Sequence, residues 1–299
     1  MLKLSCITKR RMTVNKVLDD FFVNEKIEYY GVLPIEECIL TRDYLLKKQN
    51  FTPKSVICFA VPYYTQEGKN ISKYAISQDY HMYMTDLCCK LCECIQKNFD
   101  DSICFGFCDH SPVSEVLLAA KCGIGVVGKN GLLITEKYSS FVFIGEVFTD
   151  IDAKTLGYSA AEEVVECCKC GACQRHCPTH LLAGSGSECL SEITQKRGYL
   201  DFEQQKLIIE NGCAWGCDIC QDVCPYTKNA KKNNTLVTPI QYFHTNQITE
   251  LDCSIIDKMD EKEFNGRAYA WRKRETIKRN LEILKKAEYE KLQRTVEGK

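Results

Sequence analysis

The sequence of 299 residues has no long hydrophobic run, almost no net charge and no internal repeat or low-complexity tract. A membrane-spanning helix needs about 20 consecutive apolar residues, and since no such stretch occurs, we expect no membrane contact. Met1–Cys6 runs directly into the basic Lys9–Arg11 without an apolar core, which argues against a secretion signal. The formal net charge of −1 excludes a generally basic body, so any nucleic-acid binding requires a local basic surface.

The bulk composition is that of a soluble globular protein, with 45% hydrophobic and 26% charged residues. The length is enough for one large or two modest domains with a hydrophobic core. The exception is cysteine, which occurs 21 times. Without a secretion signal, this many thiols indicate a reducing compartment rather than a disulfide framework, and we expect a cytoplasmic protein.

Two cysteine runs organise the chain. The first, Cys167–Pro178, contains C-x2-C-x2-C-x3-C-P, and the second, Cys217–Pro225, contains C-x2-C-x3-C-P. This pattern is typical of two [4Fe–4S] clusters, where the last cysteine of each run serves the other cluster. A pair of zinc knuckles is the alternative, because paired C-x2-C runs also bind zinc. The doubled C-x3-C-P favours the clusters.

The crossed pattern assigns most of the ligands. The first cluster takes three cysteines of the first run and the last cysteine of the second, namely Cys167, Cys170, Cys173 and Cys224. The second cluster takes Cys217, Cys220, Cys177 and one further cysteine. Cys189 and Cys213 compete for that place, and spacing alone slightly favours Cys213, which is closer in sequence to Cys217.

Hydrophobic periodicity predicts a central sheet with helices before the cysteine runs. Helices are expected over 13–30, where Thr13 and Val14 open an apolar stripe, and over a long segment ending near Asn98. Strands are expected at Ser55–Pro62, Ser102–Phe107, Leu132–Thr135 and Phe141–Phe148. This alternation indicates an α/β or α+β domain up to about residue 150.

Asp109 follows one of the predicted strands. Ser111 suits a helix N-cap and Pro112 the first helical position, so Asp109 should lie just outside a helix N-terminus. Catalytic carboxylates are often presented in this way, but an Asp there also satisfies free backbone N–H groups. On position alone, the capping role is favoured.

Three other segments have weaker signals. Gly123–Asn130 is rich in glycine, yet it follows a predicted helix and lacks P-loop spacing, so it indicates only a sharp turn or a close backbone approach. Lys228–Asn234 is predicted to be a polar, basic linker. The tail from about residue 258 is predicted to be helical, and its segment 267–279 holds six basic residues and one acid. A charge run of this kind is usually a solvated helix face.

Motifs along most of the chain carry a family resemblance. They are Ile71–His81, Asp109–Glu115, Gly123–Asn130, Cys189–Thr194, Gly216–Pro225, Phe264–Arg267 and Arg279–Asn280. Together with the cysteine runs, they resemble epoxyqueuosine reductases, the cobalamin- and iron–sulfur-dependent enzymes that complete queuosine in tRNA. The chain departs from the family pattern at Gln78, Ser111, Val116 and Val126, and it lacks the helical-repeat extension of longer members.

The resemblance implies an α+β protein in three parts. An N-terminal α/β cobalamin-binding reductase domain would cover 1–155, and a bacterial ferredoxin-like module with two [4Fe–4S] clusters 156–230. A basic helical segment would follow over 231–299. Cobalamin would bind in the base-off form. An external donor such as ferredoxin or flavodoxin would supply electrons, and we expect a monomer.

The resemblance also implies roles for particular residues. Asp109 becomes the general acid for the leaving oxygen, and Cys189 becomes the eighth cluster ligand. Residues of the glycine-rich segment would follow the corrin rim: Gly125, Gly128, Lys129 and Asn130. Basic side chains would meet the phosphates of the tRNA anticodon stem-loop: Arg272, Lys273, Arg274, Lys278 and Arg279, with support from Lys228, Lys231 and Lys232.

Two alternatives belong to other classes of protein. The first is a cobalamin and iron–sulfur reductase of the same build that acts on a small molecule, as reductive dehalogenases do. The second is a ferredoxin-type electron carrier, which leaves the 150 residues before the clusters unexplained.

Overall fold

The computed structural model describes residues 15–158 and 160–297. Thr13, Val14 and the N-terminal segment judged for a secretion signal lie outside the described residues. The chain forms two compact units, each assembled from three segments. Of the described residues, the first contains those up to Tyr64, within His81–Cys170 and within Pro225–Ile240; the second contains Thr65–Tyr80, Gly171–Cys224 and those from Gln241 onward. The division at residues 155 and 230 stays a prediction.

The strands belong to the first unit. In chain order they are β1 (Tyr29–Pro34), β2 (Ser55–Pro62), β3 (Cys104–Cys108), β4 (Val126–Val127), β5 (Leu133–Ile134) and β6 (Val142–Thr149). Four of them form an antiparallel sheet in the order β1-β2-β6-β3, and β4 pairs with β5 in a separate hairpin. The predicted strand Ser55–Pro62 matches β2 at both ends, and all of its residues are buried.

The helices occur in both units. In chain order they are α1 (Lys16–Asn24), α2 (Tyr44–Lys48), α3 (Tyr80–Asn98), α4 (Glu115–Lys121), α5 (Ala172–His176), α6 (Leu190–Gln195), α7 (Phe202–Asn211), α8 (Ile219–Asp222), α9 (Pro225–Lys232), α10 (Cys253–Lys258), α11 (Glu261–Asn265) and α12 (Lys273–Glu297). None of the helices in the described ranges is long and apolar enough to cross a bilayer.

The first helix is shorter than predicted. Asn15 caps α1 by accepting hydrogen bonds from the N–H groups of Val17 and Leu18, and the helix ends at Asn24. The prediction of helix to residue 30 is wrong because Lys26 takes a left-handed conformation, with φ of 59°, after which Tyr29 opens β1. A left-handed residue cannot continue a right-handed helix.

The predicted N-cap at Ser111 is also wrong. Helix α4 begins at Glu115, and its N-cap is Ser114. The carbonyl of Pro112 accepts hydrogen bonds from the N–H groups of Thr41 and Arg42. It is therefore occupied by another part of the chain and does not begin the helical ladder. The helix end is as expected, because Gly123 follows α4 with a φ of +71°.

The segment predicted as a basic linker forms helix α9 instead. Pro225 occupies its first position, where the missing N–H of proline carries no penalty. Tyr226, Thr227 and Ala230 are buried on one side, and the lysines lie on the other. The Thr227 hydroxyl lies 2.7 Å from that of Ser139 within the first unit. Three buried positions among polar residues were too weak a pattern to reveal the helix from sequence.

Helix α12 packs on α6, α7 and α10 in the second unit. The side-chain amide of Asn280, fully buried, donates to the carbonyl of Thr194 at 2.7 Å and to that of Ala214 at 2.8 Å. The adjacent Arg279 donates to the carbonyls of Lys196 and Gly198. These bonds hold α12 against the segments that flank the second cysteine run.

A buried charge network joins the segment 65–80 to the second cysteine run. The Lys73 side chain is only 5% exposed, and its ammonium lies 2.8 Å from Asp222, 3.2 Å from Glu67 and 3.6 Å from Asp218. Asp218 also accepts from the Ser72 hydroxyl at 2.6 Å and from the Lys73 N–H at 2.8 Å. Burial opposes the charge on Lys73, but Asp218, Asp222 and Glu67 raise its pKa above the ordinary lysine value.

We predict that Lys73→Met destabilises the protein by about 3–5 kcal/mol, because it leaves the buried Asp218 carboxylate without its cation. Lys69→Met is the matched control. Lys69 lies on the same segment but pairs with Glu250 at the surface, where the side chains are 73% and 52% exposed, and exposed pairs contribute about 0–1 kcal/mol. Denaturant midpoints of the anaerobic holoproteins measure both effects. Equal midpoints for the two variants would contradict the assigned role of Lys73.

Candidate functional site

The second unit brings several predicted cluster ligands together. Helix α5, which holds Cys173, packs against α8, which holds Cys220. Cys217 lies within electrostatic reach of Cys189, Cys213 and Cys220. Cysteines that are widely separated in sequence thus lie near one another, and thiolates are the ligands that iron–sulfur clusters use. Among the described residues, no three of these side chains are close enough to hold a metal ion as they stand.

Cys177 is buried in a loop that suits a thiolate. Burial alone would raise the pKa of this thiol, but backbone N–H groups of Leu182, Thr179 and Leu181, together with the Thr179 hydroxyl, hold it below the ordinary value. The loop is shaped by the left-handed conformation of His180, with φ of 55°. Donors that point at sulfur stabilise a ligating thiolate and tune the cluster that it holds.

Cys189 and Cys213 both remain candidates for the eighth ligand. Cys189 is the residue immediately before α6 and is partly exposed. The thiol of Cys213 donates to the carbonyl of Asn211 at 3.3 Å, and burial raises its pKa to about 11. A thiol that donates a hydrogen bond to a nearby backbone carbonyl contributes to packing. This favours Cys189 over Cys213 as the eighth cluster ligand. The assignment itself stays a prediction.

The glycine-rich segment of the first unit lies against Cys167. Strand β4 bonds to the chain before the first cysteine run, since Val127 donates to Val165 and Cys167 donates to Val127. The backbone N–H of Lys129 donates to the Cys167 sulfur at 3.4 Å. An N–H group aimed at a cluster sulfur raises the reduction potential, so this segment has a structural connection to the first predicted cluster.

The two glycines predicted to face a corrin are needed for the β4–β5 hairpin. A Cβ added at Gly125 would lie 2.4 Å from the Ile134 carbonyl oxygen, and one at Gly128 would lie 2.2 Å from the Asn130 side chain. The tip residues Lys129 and Asn130 remain partly or fully exposed. Contact between this segment and cobalamin stays a prediction, and the tip residues are its better candidates.

Asp109 lies in a strained turn directly after β3. Its φ is +61°, and the N–H of His110 reaches back to the carbonyl of Cys108 at 2.6 Å. This i→i+2 bond around a residue with positive φ defines the rarer, strained kind of γ-turn. The N–H of Asp109 donates to the carboxylate of Glu115 at 3.0 Å. Strain that is held by neighbouring bonds is a common feature of functional sites.

The Asp109 carboxylate is paired with a histidine at the surface. Its Oδ2 lies 3.0 Å from Nε2 of His81, and both side chains are about half exposed. His81 lies near the start of α3 and also lines a cavity of about 440 Å³ between α3 and β3. The residues that line the cavity are mainly sulfur-containing, including Met84, Cys88 and Cys92. An acid, a histidine and an adjoining apolar surface are therefore present in one place.

Sequence reasoning named Asp109 but gave no role to the two residues that hold it. His81 and Glu115 both lay inside segments singled out for their family resemblance, so the signal was present. Burial and the nearby Asp109 charge raise the pKa of Glu115 to about 7, although the Asp109 N–H and Arg42 oppose the rise. Glu115 can therefore hold a proton near neutral pH.

The basic residues of 267–279 have different surroundings. Arg274 donates to the carbonyls of Ile256, Met259 and Asp260. Arg279 donates to the carbonyls of Lys196 and Gly198. Lys278 pairs with Asp257 at 2.8 Å. Arg267 is buried and donates to the Asn246 carbonyl at 2.5 Å. The tRNA roles of the predicted residues stay predictions, but these four side chains also have structural partners.

A different arrangement occurs just before α12. Trp271 is 54% exposed, and the guanidinium carbon of Arg272 lies 3.8 Å from the centre of its ring. The Arg272 Nε is buried and has no partner among the described residues. Lys273 is exposed and begins α12. An exposed aromatic ring, a stacked guanidinium and a helix N-terminus are the features that proteins use to hold single-stranded RNA and its phosphates.

Cysteine thiols with N–H donors around them, together with an exposed acid, are typical of an iron–sulfur oxidoreductase. A 4Fe-4S double cluster binding domain matches residues 166–227, and the family described as epoxyqueuosine reductase QueG, DUF1730, matches residues 46–109. An epoxyqueuosine reductase of Cellulophaga algicola is 33% identical over 245 residues, covering 78% of this chain and 77% of that protein. The chain belongs to the epoxyqueuosine reductase family.

Other relatives are matched over less of their length. The epoxyqueuosine reductase of Lactococcus garvieae is 32% identical over 220 residues, covering 71% of this chain but only 60% of that protein. Among solved structures, an epoxyqueuosine reductase with an epoxyqueuosine-modified tRNA-Tyr stem loop has a TM-score of 0.66 at 20% identity, covering 90% of this chain and 80% of that one. Family membership confirms the α+β fold class, the double [4Fe–4S] module and cobalamin as the second cofactor of an oxidoreductase.

We predict that Cys189→Ala loses one cluster, so that iron falls from about eight to about four atoms per chain after anaerobic reconstitution. Cys213→Ala should keep both clusters, since that thiol bonds to a backbone carbonyl. Iron analysis and the charge-transfer absorbance of the two variants decide between them. The opposite pattern would move the eighth ligand to Cys213 and leave the double cluster unchanged.

Proposed function

We propose that this protein reduces epoxyqueuosine to queuosine in tRNA. The observation that carries the proposal is membership of the epoxyqueuosine reductase family, together with an acid on a strained turn in the family-like segment. An external one-electron donor, of the ferredoxin or flavodoxin type, would supply electrons through the two clusters. The physical task left to the polypeptide is to bind the loop base, to orient it and to supply protons.

Asp109 is the group in our proposal that protonates the departing oxygen. An epoxide oxygen is a poor leaving group as an anion, so a positioned acid lowers the barrier. The Asp109 side chain is half exposed and can reach a substrate, while its backbone is fixed by Glu115 and its carboxylate by His81. Orientation by two neighbours is the kind of pre-organisation that proton transfer requires.

Residues of the first unit fit a cobalamin in two respects. The apolar wall beside His81 and Asp109 offers a surface for a large organic ring, and the exposed tip residues Lys129 and Asn130 offer polar groups for its amide side chains. When bound, cobalamin supplies the reducing chemistry that protein side chains lack. Asp109 and His81 would supply the proton and its orientation.

The tRNA would be held partly by the group before α12. A splayed anticodon-loop base can stack on Trp271, while Arg272 and Lys273 meet phosphate. The N-terminus of α12 adds the positive end of a long helix at the same place. In this proposal Trp271, Arg272 and Lys273 contact the RNA. Arg274 and Arg279 instead stabilise the fold through their hydrogen bonds to backbone carbonyls.

Nucleoside analysis of tRNA is the decisive experiment. A strain that lacks this gene should accumulate epoxyqueuosine and lack queuosine, and the cloned gene should restore queuosine. Unchanged queuosine in the deletion strain would exclude the proposal. Bound corrinoid in the same purified protein would then favour reduction of a small molecule.

Asp109→Asn should bind cobalamin and keep both clusters, yet lose about 10²–10⁴-fold in turnover, because the amide cannot donate an acidic proton. Anaerobic single-turnover assays with epoxyqueuosine tRNA measure the loss, and absorbance and iron content verify the cofactors. Asp86→Asn is a surface control on α3, where Asp86 pairs with Lys90. Normal turnover by Asp109→Asn would make Asp109 a purely structural residue.

Replacing Arg272 and Lys273 together with Gln should weaken tRNA binding and reduce the slope of log affinity against log salt by about 1–2 units. Lys285 and Lys286 lie further along α12 and provide a control pair with the same loss of charge. Fluorescence anisotropy across a salt series compares the two. Identical slopes for the wild-type protein and the first pair would show that Arg272 and Lys273 contact no phosphate.

A further inference from the structure

The most unusual side chain of the first unit is a buried acid in the middle of the sheet. Glu146 lies in β6, between Cys58 of β2 and Phe107 of β3. It is fully buried, and neither carboxyl oxygen has a partner at ordinary hydrogen-bond distance in the part of the chain that the structure describes; the nearby Ser111 side chain lowers the pKa of Glu146 but does not offset its burial. A charged carboxylate in such a place costs several kcal/mol, so the group holds a proton instead.

The alternation of side chains along β6 shows on which face of the sheet the Glu146 side chain lies. A Cβ added at its neighbour Gly145 would lie 2.7 Å from Met84 of α3, so that face of β6 looks toward α3. Successive residues of a strand point to opposite faces, so Glu146 looks toward α4. Its strand partner Phe107 packs on the same side, in the core that contains Leu118 and Ala119 of α4.

Glu115 opens α4 on that side and connects Glu146 with the acid site. Glu115 and Asp109 are among the charges that act on Glu146, after burial itself. Glu115 in turn accepts the backbone N–H of Asp109 at 3.0 Å. Glu115 therefore lies near Glu146 and also contacts the turn that holds Asp109.

The protonation of Glu115 and Glu146 depends on the charged and polar groups around them. Burial raises the pKa of both Glu115 and Glu146; the Asp109 charge adds to the rise at Glu115, and the Glu115 charge adds to the rise at Glu146. Arg42 opposes the rise at Glu115. The other groups near the two glutamates are the Ser111 side chain, which lowers the pKa of Glu146, and the thiols of Cys58, Cys108 and Cys122; His81 pairs with Asp109. Two interacting buried carboxyls share protons as one unit.

We propose that Glu115 and Glu146 form a proton store that recharges Asp109, so that they are positioning residues for the acid rather than groups that touch substrate. The inference rests on the proposed function. Conversion of an epoxide to an alkene breaks both carbon–oxygen bonds, takes up two electrons and two protons and releases water. The donor protein supplies the electrons through the clusters. Asp109 delivers one proton, and the Glu115–Glu146 pair supplies the proton that replaces it.

The proposal predicts a specific dependence on pH. Because the pKa values of the pair are raised, its protons are present at and below neutral pH and are lost on the alkaline side. Glu146→Gln keeps the size of the side chain but removes the stored proton. We expect its kcat to match the wild type near pH 6 and to fall about tenfold by pH 8, with KM unchanged, as a shift of the alkaline limb by about one pH unit requires.

Glu115→Gln gives a second variant in case Glu146→Gln fails to fold, and it should shift the alkaline limb in the same direction. Glu136→Gln is the matched control, since Glu136 is exposed in the same unit. Its pH profile should superimpose on the wild type. Coincident profiles for the wild type, Glu115→Gln and Glu146→Gln would overturn the proposal.

Infrared titration of the substrate-free holoprotein tests the store without any turnover. The wild type and Glu136→Gln should show a protonated-carboxyl band that persists above neutral pH, and Glu146→Gln should lose the band above neutral pH. If the band is absent in the wild type, the proton store does not exist. If the band is present but epoxyqueuosine tRNA is not reduced, the proposed function fails while the store remains.

Discussion

The buried ammonium of Lys73 is the constraint on which the second unit depends. Its carboxylate partners include Asp218, the residue between the predicted cluster ligand Cys217 and α8. A buried ion pair adds little net stability, but it specifies one arrangement, because every other arrangement leaves a charge unpaired. Gly216 tightens that arrangement further, since a Cβ there would lie 2.4 Å from the Ser72 side chain. The Ile71–His81 and Gly216–Pro225 segments, which look unrelated in sequence, are thus two sides of one contact between Ser72–Lys73 and Asp218.

The first unit contains two features that are energetically unfavourable for folding. Asp109 is held at positive φ, and Glu146 is buried without partners in the described structure. Each feature costs of the order of 1–3 kcal/mol, and neither helps the sheet to form. Both lie at the same end of the β3–β6 pair, because the Cys108–Gly145 and Phe107–Glu146 pairs are its last rungs. Costs that coincide in one place indicate that the place is maintained for chemistry rather than for folding.

The sequence allowed parts of this structure to be predicted, for clear reasons. Ser55–Pro62 is an uninterrupted apolar run, and a fully buried strand is the structure that such a run favours. The double cluster was readable because thiolate spacing is a local property. Helix α9 and the start of α4 were not readable. Helix α9 has only three buried positions among polar residues, and the start of α4 depends on bonds from Thr41 and Arg42 to Pro112, which no local pattern contains. Glu146 was missed because an acid inside a strand has no signature until the sheet register is known.

The basic run shows why a charge count is weak evidence for a binding surface. Guanidinium groups are good at satisfying the carbonyls at helix ends, and Arg274 and Arg279 do so inside the second unit. A guanidinium group that donates to backbone carbonyls keeps its positive charge. Its N–H donors are already used, however, so it binds a phosphate only weakly. Arg272 differs because it stacks on an exposed ring and keeps an unpartnered Nε among the described residues. The basic residues of this segment therefore have at least two kinds of surroundings, and burial and partners separate them where sequence spacing does not.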